Sequence, residues 1–563
     1  MNTLNRRKFL SSSALLATSS LITVTANAAA KDPMPAKWDE EADIIVVGSG
    51  FAGLAAAAEA KNANAGNVIV LEKMRAPGGN SVINGGIFAV PGNPAQVKLG
   101  IKDSPELLAS DMIAAGLGYG YPEKIKAMTE EALPTYEWTV KELGVQYNDK
   151  VGQEGGHSVP RHVYTINGSG SEIVHKQLAY AKKLGIPVRL RVYVERIIRD
   201  EDGRVKGLQV REGYRFPNAQ SGKVKFIKAK KAVILCHGGF GADVNYRMKH
   251  DPKLTDKFDT TNQPGATSEL WREASRIGGN LIQADWIQCG PWNSPEEKGM
   301  GVALYFAQGA AATQGIWIDC ATGKRFVNEL ANRKIRADAV ITNNNKGHTC
   351  IALADQTAVD LTIQKSRPGI LDKQLERKVV HKFATLEDLA KQYNVPMDAL
   401  QATIADYNKH QAEGTPDEMG RKIYKGAQAI GTGPWYCSIL SPKVHHCMGG
   451  LETNSKGQVI DVSSDKPIPG LYAAGESTGG VHGAVRLGSC VVLDCLANGR
   501  IAGRKAAQEQ NWSKPYFSNQ RRLLPLNETS KFLSQRKNEQ SESFKSTVLT
   551  FLSLFVATLL QRG

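Results

Sequence analysis

The sequence predicts an α/β protein, a Rossmann-like domain interrupted by a smaller α+β segment. Three observations predict it. A β-type run passes through a glycine turn into an alanine-rich helix and a second run that ends on an acid. The middle of the chain carries helix-period patterns without such a turn. A further strand-and-helix unit begins near residue 470.

Ala42–Val47 (ADIIVV) is continuously apolar, as a parallel strand covered on both faces requires. Gly48-Ser49-Gly50-Phe51-Ala52-Gly53 follows, then a helix to about Ala60. The second run, Val68–Leu71, delivers Glu72, 19 residues past Gly53. In this setting GxGxxG is a dinucleotide fingerprint. Gly48 permits the tight turn, and Gly50 lets backbone approach a pyrophosphate at the helix N-terminus. Gly53 allows close helix–strand packing, and Glu72 is expected on the adenosine ribose.

The next segment separates a flavin from a nicotinamide. Lys73–Gly92 (KMRAPGGNSVINGGIFAVPG) places glycine pairs at Gly78-Gly79 and Gly85-Gly86, which bring backbone against something flat and large. A nicotinamide enzyme needs no such second loop. Gly470–Glu476 (GLYAAGE) is a strand that delivers Gly475-Glu476 to a ligand. Gly488-Ser489-Cys490 then opens a helix near Val491–Glu509, and a helix N-terminus suits the electron-rich edge of a reduced isoalloxazine. The cofactor expected is FAD. Its expected contacts are Gly48, Gly50, Phe51, Ala52 and Gly53; Glu72 and Lys73; Gly78, Gly79, Asn80, Ser81, Gly85 and Gly86; and Gly475, Glu476, Ser489, Cys490 and Val491. No metal site is expected.

Asn5-Arg6-Arg7-Lys8-Phe9-Leu10, an apolar Ala14–Val24 and Ala26-Asn27-Ala28 follow in the order of a twin-arginine signal peptide. Cleavage is expected after Ala28, with Ala30 as the alternative. Residues 1–28 are therefore expected to direct the folded protein to a bacterial periplasm. The chain carries 70 basic and 55 acidic residues, a formal charge of +15. Much of that excess lies in the signal and the tail. The body has no basic–aromatic stripe, so nucleic acid is not expected. A mild positive field would attract a small carboxylate. Eight cysteines form no CxxC and no CxxCH, which excludes covalent haem, and most read as small core residues. Residues 513–563 are basic and irregular and end in the apolar Val548–Leu560. That stretch is shorter than the roughly 20 residues that span a bilayer, so membrane contact and a disordered tail both stay open.

Ile45–Glu72, GGNSVINGG, VILCHGGFG at 233–241, RFVNE at 325–329, HHCMGG at 445–450 and GLYAAGESTGGVHGAVRLG at 470–488 share an order and wording. Together they resemble the fumarate reductase/succinate dehydrogenase flavoprotein family. The resemblance covers roughly residues 40–510. It is closest to the soluble periplasmic branch, the fumarate and urocanate reductases often called flavocytochromes c. It implies a Rossmann-like FAD-binding domain, 38–283 and 430–512, interrupted by a smaller α+β capping domain, 284–429, with helical patterns such as Leu386–Lys409. It implies C=C reduction of a small carboxylate, with His446 and Arg486 holding the carboxylate and Arg333 as the proton-donating arginine. Gly78-Gly79-Asn80 stands where membrane-bound relatives carry a histidine, so FAD is expected to be non-covalent. The chain has neither haem motif nor FMN domain. Electrons are therefore expected from a separate periplasmic donor, a multihaem cytochrome c.

Two departures bear on substrate. Gly290 stands where fumarate reductases place a histidine for the second carboxylate. Gln308-Gly309 and Ala312 stand in place of their Thr-Glu and relay arginine. Trp292 and Phe306 are candidate pocket walls, and the pocket distal to Arg486 is expected to be larger and more apolar. The substrate expected is an aryl- or bulky-substituted acrylate such as urocanate or cinnamate. Glu329, Arg336 or water is expected to recharge Arg333. The alternatives are a fumarate reductase proper and a flavin oxidase or dehydrogenase of the ketosteroid type.

Overall fold

Five parallel strands organise the structure, a computed structural model that describes residues 32–365, 367–422 and 426–512. Their order is Pro467–Ala473, Lys223–Leu235, Glu40–Val47, Val68–Glu72 and Val188–Leu190. An antiparallel strand, Gln458–Ile460, closes one edge. Val192–Arg199 and Val205–Glu212 add a meander that runs onto Lys223–Leu235. The signal peptide and the tail from residue 513 lie outside the described residues.

The strands are apolar on both faces because both faces are covered. Ile45, Val47 and Val233 pack on one side, and Ile44, Val46 and Ile234 on the other. On the second side, helix Phe51–Asn62 crosses helix Cys490–Ala507 at close range. A Cβ on Gly499 would lie 2.5 Å from the Ala52 carbonyl oxygen, and one on Gly503 would collide with that of Ala56. These glycines, one turn apart, bring the C-terminal helix onto the glycine-turn helix. Glu59 and Glu131 clamp the crossing through Arg500 and Arg504 at 2.8–3.1 Å.

The insert has its own antiparallel sheet, ordered Lys324–Arg325, Ile316–Asp319, Cys350–Asp355, Trp435–Leu440 and His381–Phe383. It also has its own apolar clusters, around Trp317 and around Leu353. The second boundary therefore differs from the expected 430, because Trp435–Leu440 still pairs inside this sheet. The helix-period pattern Leu386–Lys409 is two helices, Leu386–Tyr393 and Met397–Glu413. Asn394, left-handed at φ 52°, and Pro396 break it. The chain enters and leaves the insert through Ile287–Gly290 and Lys443–Cys447, which pair with each other. Residues 32–511 nonetheless belong to one compact unit.

Candidate active site

A cavity enclosing about 1000 Å³ of atom-free space, its mouth included, opens along the C-terminal ends of the parallel strands. That is the size and place of a cofactor site in an open α/β sheet. Gly48 at φ 105° makes the turn, and a Cβ there would strike the Cys236 carbonyl oxygen. A Cβ on Gly53 would strike the Gly48 carbonyl oxygen. Gly50 caps helix Phe51–Asn62 and lines the cavity beside Ser81, whose hydroxyl accepts from the Phe51 N–H at 2.9 Å. Glu72 accepts from the Ser49 hydroxyl at 2.7 Å and the Met74 N–H at 2.8 Å, which holds its carboxylate at the cavity wall.

At the far end Glu476 faces the cavity and accepts from the Cys447 N–H at 3.0 Å. Its Oε1 lies 3.3 Å from His446 Nδ1. Burial pushes the Glu476 carboxyl up, but His446, the Cys447 N–H and Arg486 together outweigh it and hold it below the ordinary carboxylate value. Beyond Glu476 lies a cluster of charge. Strand Lys443–Cys447 alternates its side chains, so His445 and His446 point to opposite sides. His445, with Nδ1 2.7 Å from the Thr261 hydroxyl, is held well below its ordinary pKa by burial and by Arg486 and Arg333. Burial and Arg333 push Arg486 down to about 10, and its Nε has no partner among the described residues.

Arg333 opens helix Arg333–Asn345, whose N-cap Asn332 accepts from the Ile335 N–H. Arg336, three residues on, shares its face. Both guanidiniums lie over the Trp292 ring, with carbons 5.0 and 5.4 Å from its centroid. Arg333 Nη2 donates to Glu154 Oε2 at 3.1 Å. Glu154 comes from the loop before strand His162–Tyr164, in the nucleotide-binding half.

The FAD binding domain family model matches residues 43–492. The acrylate reductase flavoprotein subunit of Shewanella woodyi is 39% identical over 469 residues, covering 83% of this chain and 92% of that one. The urocanate reductase of Eggerthella lenta is 34% identical over 470 residues, covering 83% of this chain and 75% of that one. An open-form flavocytochrome c3 fumarate reductase superposes with a TM-score of 0.70 at 27% identity, covering 90% of this chain and 81% of that one. The chain belongs to the fumarate reductase/succinate dehydrogenase flavoprotein family.

This flavoprotein is an FAD-dependent oxidoreductase, and its cavity fits the group. The collisions at Gly48 and Gly53 leave the turn open only to backbone. His237, held neutral by burial at about 3, lines the cavity with both ring nitrogens unpartnered among the described residues. Gly48, Gly50, Phe51, Ala52, Glu72, Lys73, Gly79, Asn80, Ser81 and Glu476 line the cavity. Gly53 and Gly475 stand behind it, packed on Gly48 and Ala52. Gly78 packs on Val174 and Val82, and Gly86 on the Thr165–Ser169 turn. Ser489, Cys490 and Val491 do not line it. Cys490 instead senses Arg486 and Glu154, and a Cβ on Gly488 would collide with the Glu154 carboxylate. Sequence reasoning passed over Ser49, His237–Gly239 and Gly265–Thr267 as ligands. The GG after strand Lys223–Leu235 was a usable signal for the second group.

The structure bears on four expectations about the charged cluster. His446 Nδ1 lies 3.3 Å from Glu476 Oε1, while His445, on the other side of the strand, has Nδ1 2.7 Å from the Thr261 hydroxyl. Phe306 is wholly buried in the insert's core and presents no wall. At Gly290 a Cβ would lie 2.2 Å from Asn293 Oδ1 and 3.6 Å from Trp292 Nε1, so these two side chains stand directly beside it. Glu329 is also committed elsewhere. It pairs with Arg325 and Arg421 at 2.7 and 2.9 Å and is fully buried.

Proposed function

We propose that this flavoprotein reduces the C=C bond of small 2-enoates that carry one carboxylate, acrylate and its methyl-substituted forms. One observation carries the substrate class. The space beside Gly290, where a second carboxylate would need a donor, holds Asn293 and Trp292. The names of the Shewanella woodyi and Eggerthella lenta relatives support the reaction type. The filled space favours a small enoate over the arylacrylate that the sequence suggested.

Bound FAD, non-covalent in this reading, would supply a hydride to the β-carbon. Gly48, Gly50 and the helix they open would hold the pyrophosphate, and Glu72 the ribose. Arg486 and His445 grip the carboxylate, and a buried guanidinium there also stabilises the enolate-like charge that develops on it. Arg333 Nη delivers the proton to the α-carbon. Trp292 fixes Arg333 from below, and the insert excludes water.

The chain is exported by the twin-arginine route and takes electrons from a separate periplasmic cytochrome c. The ordered signal motifs and the absence of CxxCH support this. Anaerobic reoxidation of the viologen-reduced protein tests the whole reading. Acrylate or methacrylate should reoxidise it faster than cinnamate and far faster than fumarate. Fumarate as the best oxidant, or oxygen alone, would overturn it. Fractionation of cells expressing the full chain, with Arg6→Lys/Arg7→Lys beside it, tests export. Flavoprotein that stays cytoplasmic in both excludes it.

A further inference from the structure

Every turnover leaves Arg333 one proton short, and none of the side chains expected to return it shares a hydrogen bond with it among the described residues. Gly309 and Ala312 carry no exchangeable side-chain proton. Glu329 is locked between Arg325 and Arg421. Arg336 is a cation stacked on the same indole as Arg333, and its Nη1 donates to Gln308 Oε1 at 2.7 Å and to the Glu329 carbonyl at 3.1 Å. The carboxylate on Arg333 comes from the opposite half of the molecule. We propose that Glu154 is the proton source of Arg333, acting through that arginine without touching the substrate.

Three features of the structure support it. Glu154 Oε2 accepts directly from Arg333 Nη2 at 3.1 Å, so one hydrogen bond suffices for transfer. The Glu154 side chain is 32% exposed and that of Arg333 21%, so Glu154 touches both water and the arginine. Its surroundings also respond to the reaction. Arg333, Arg486, His157, His162, Tyr164 and Cys490 face it. Burial pushes its carboxyl up, but the positive charges around it, Arg333 foremost and Arg486 with it, hold it below the ordinary carboxylate value. When Arg333 gives its proton to the α-carbon, the largest of those positive influences vanishes. The Glu154 carboxylate then gains affinity for a proton, takes one from water and passes it to the neutral guanidine. Each cycle thus moves one proton from solvent to Glu154, to Arg333, to the substrate carbon, and restores both side chains to their charged forms. Arg333 belongs to the insert and Glu154 to the nucleotide-binding half, so the path exists only while the two are closed on each other.

The inference rests on the enoate-reductase reading, and the test separates the two. Arg333 enters the first turnover already protonated. Reduced Glu154→Gln protein mixed with acrylate should therefore reoxidise in its first turnover within about threefold of the unmodified protein. Its steady-state rate with viologen should fall ~100-fold or more, the scale of a lost proton-transfer group. Equal slowing of first and later turnovers would mean that Glu154 only positions Arg333, and unchanged steady-state turnover would mean that it has no part. Either overturns the proposal. Failure of the unmodified protein to reoxidise with any enoate would overturn the enoate reading instead. If Glu154→Gln loses flavin, Glu154→Asp carries the test. Its shorter carboxylate must slow later turnovers more than the first, and uniform slowing overturns the proposal.

Discussion

The guanidinium of Arg333 lies over the Trp292 indole, 5.0 Å from the ring centroid. Trp292 follows the Gly290 turn, and its ring also carries Arg336 at 5.4 Å. Two like charges lie against one indole ring, which the negative π-cloud offsets by about 0.5–2 kcal/mol per contact. Trp292→Leu should therefore lower kcat about tenfold with KM nearly unchanged, because a loosened arginine still meets a bound substrate. Steady-state kinetics with acrylate check this. A change confined to KM would place Trp292 on the carboxylate instead.

The two histidines of strand Lys443–Cys447 should separate cleanly. His445→Ala should raise KM for the enoate tenfold or more and leave the flavin spectrum intact. His446→Ala removes the neighbour of Glu476 and should shift the flavin absorbance with little change in KM. The reverse pattern would restore His446 as the carboxylate ligand.

Arg486 must be charged to bind a carboxylate, and it is pushed down to about 10. As the pH rises through that value the guanidinium loses its proton, so KM should climb steeply above pH 10 while remaining flat from 7 to 9. A KM that is flat to pH 11 would count against Arg486 as the anchor.

Acid should destabilise the fold early. Burial holds His162 at about 3 and His482 at about 4, below the ordinary 6.5. Below pH 6.5 the unfolded chain binds protons at both sites and the folded one does not. Stability therefore falls as pH drops, by about 2 kcal/mol per histidine between pH 6.5 and 5. Urea unfolding at the two pH values measures it, and His162→Asn should flatten the slope.

Gly503→Ala should cost about 1–3 kcal/mol, because its Cβ meets the Ala56 carbonyl, a backbone atom that cannot yield. Thermal unfolding of the FAD-bound form checks it.

Much of this architecture was legible along the chain. Strand Glu40–Val47, the glycine turn and Glu72 form a local unit whose turn, helix and acid are set by residues near each other. The C-terminal helix was read from Val491 to Glu509 and runs from Cys490 to Ala507, because glycine and apolar spacing mark it. The insert's second edge was not legible. Strand Trp435–Leu440 is apolar like the parallel strands, and only its partners Cys350–Asp355 and His381–Phe383 show which sheet it joins. Asn394 and Pro396 were visible in the sequence but were passed over for the periodicity around them.

By itself the sequence determined a nucleotide-binding α/β frame and its flavin chemistry. Those features are short motifs, in which a few adjacent residues carry the constraint. The tertiary structure alone decided which of two adjacent histidines meets Glu476, because a strand turns neighbouring side chains to opposite sides. It alone placed Asn293 in the space at Gly290 and brought Glu154 to Arg333 across 179 positions of chain. A contact that distant leaves no local pattern, since it is set by how two sheets close on each other.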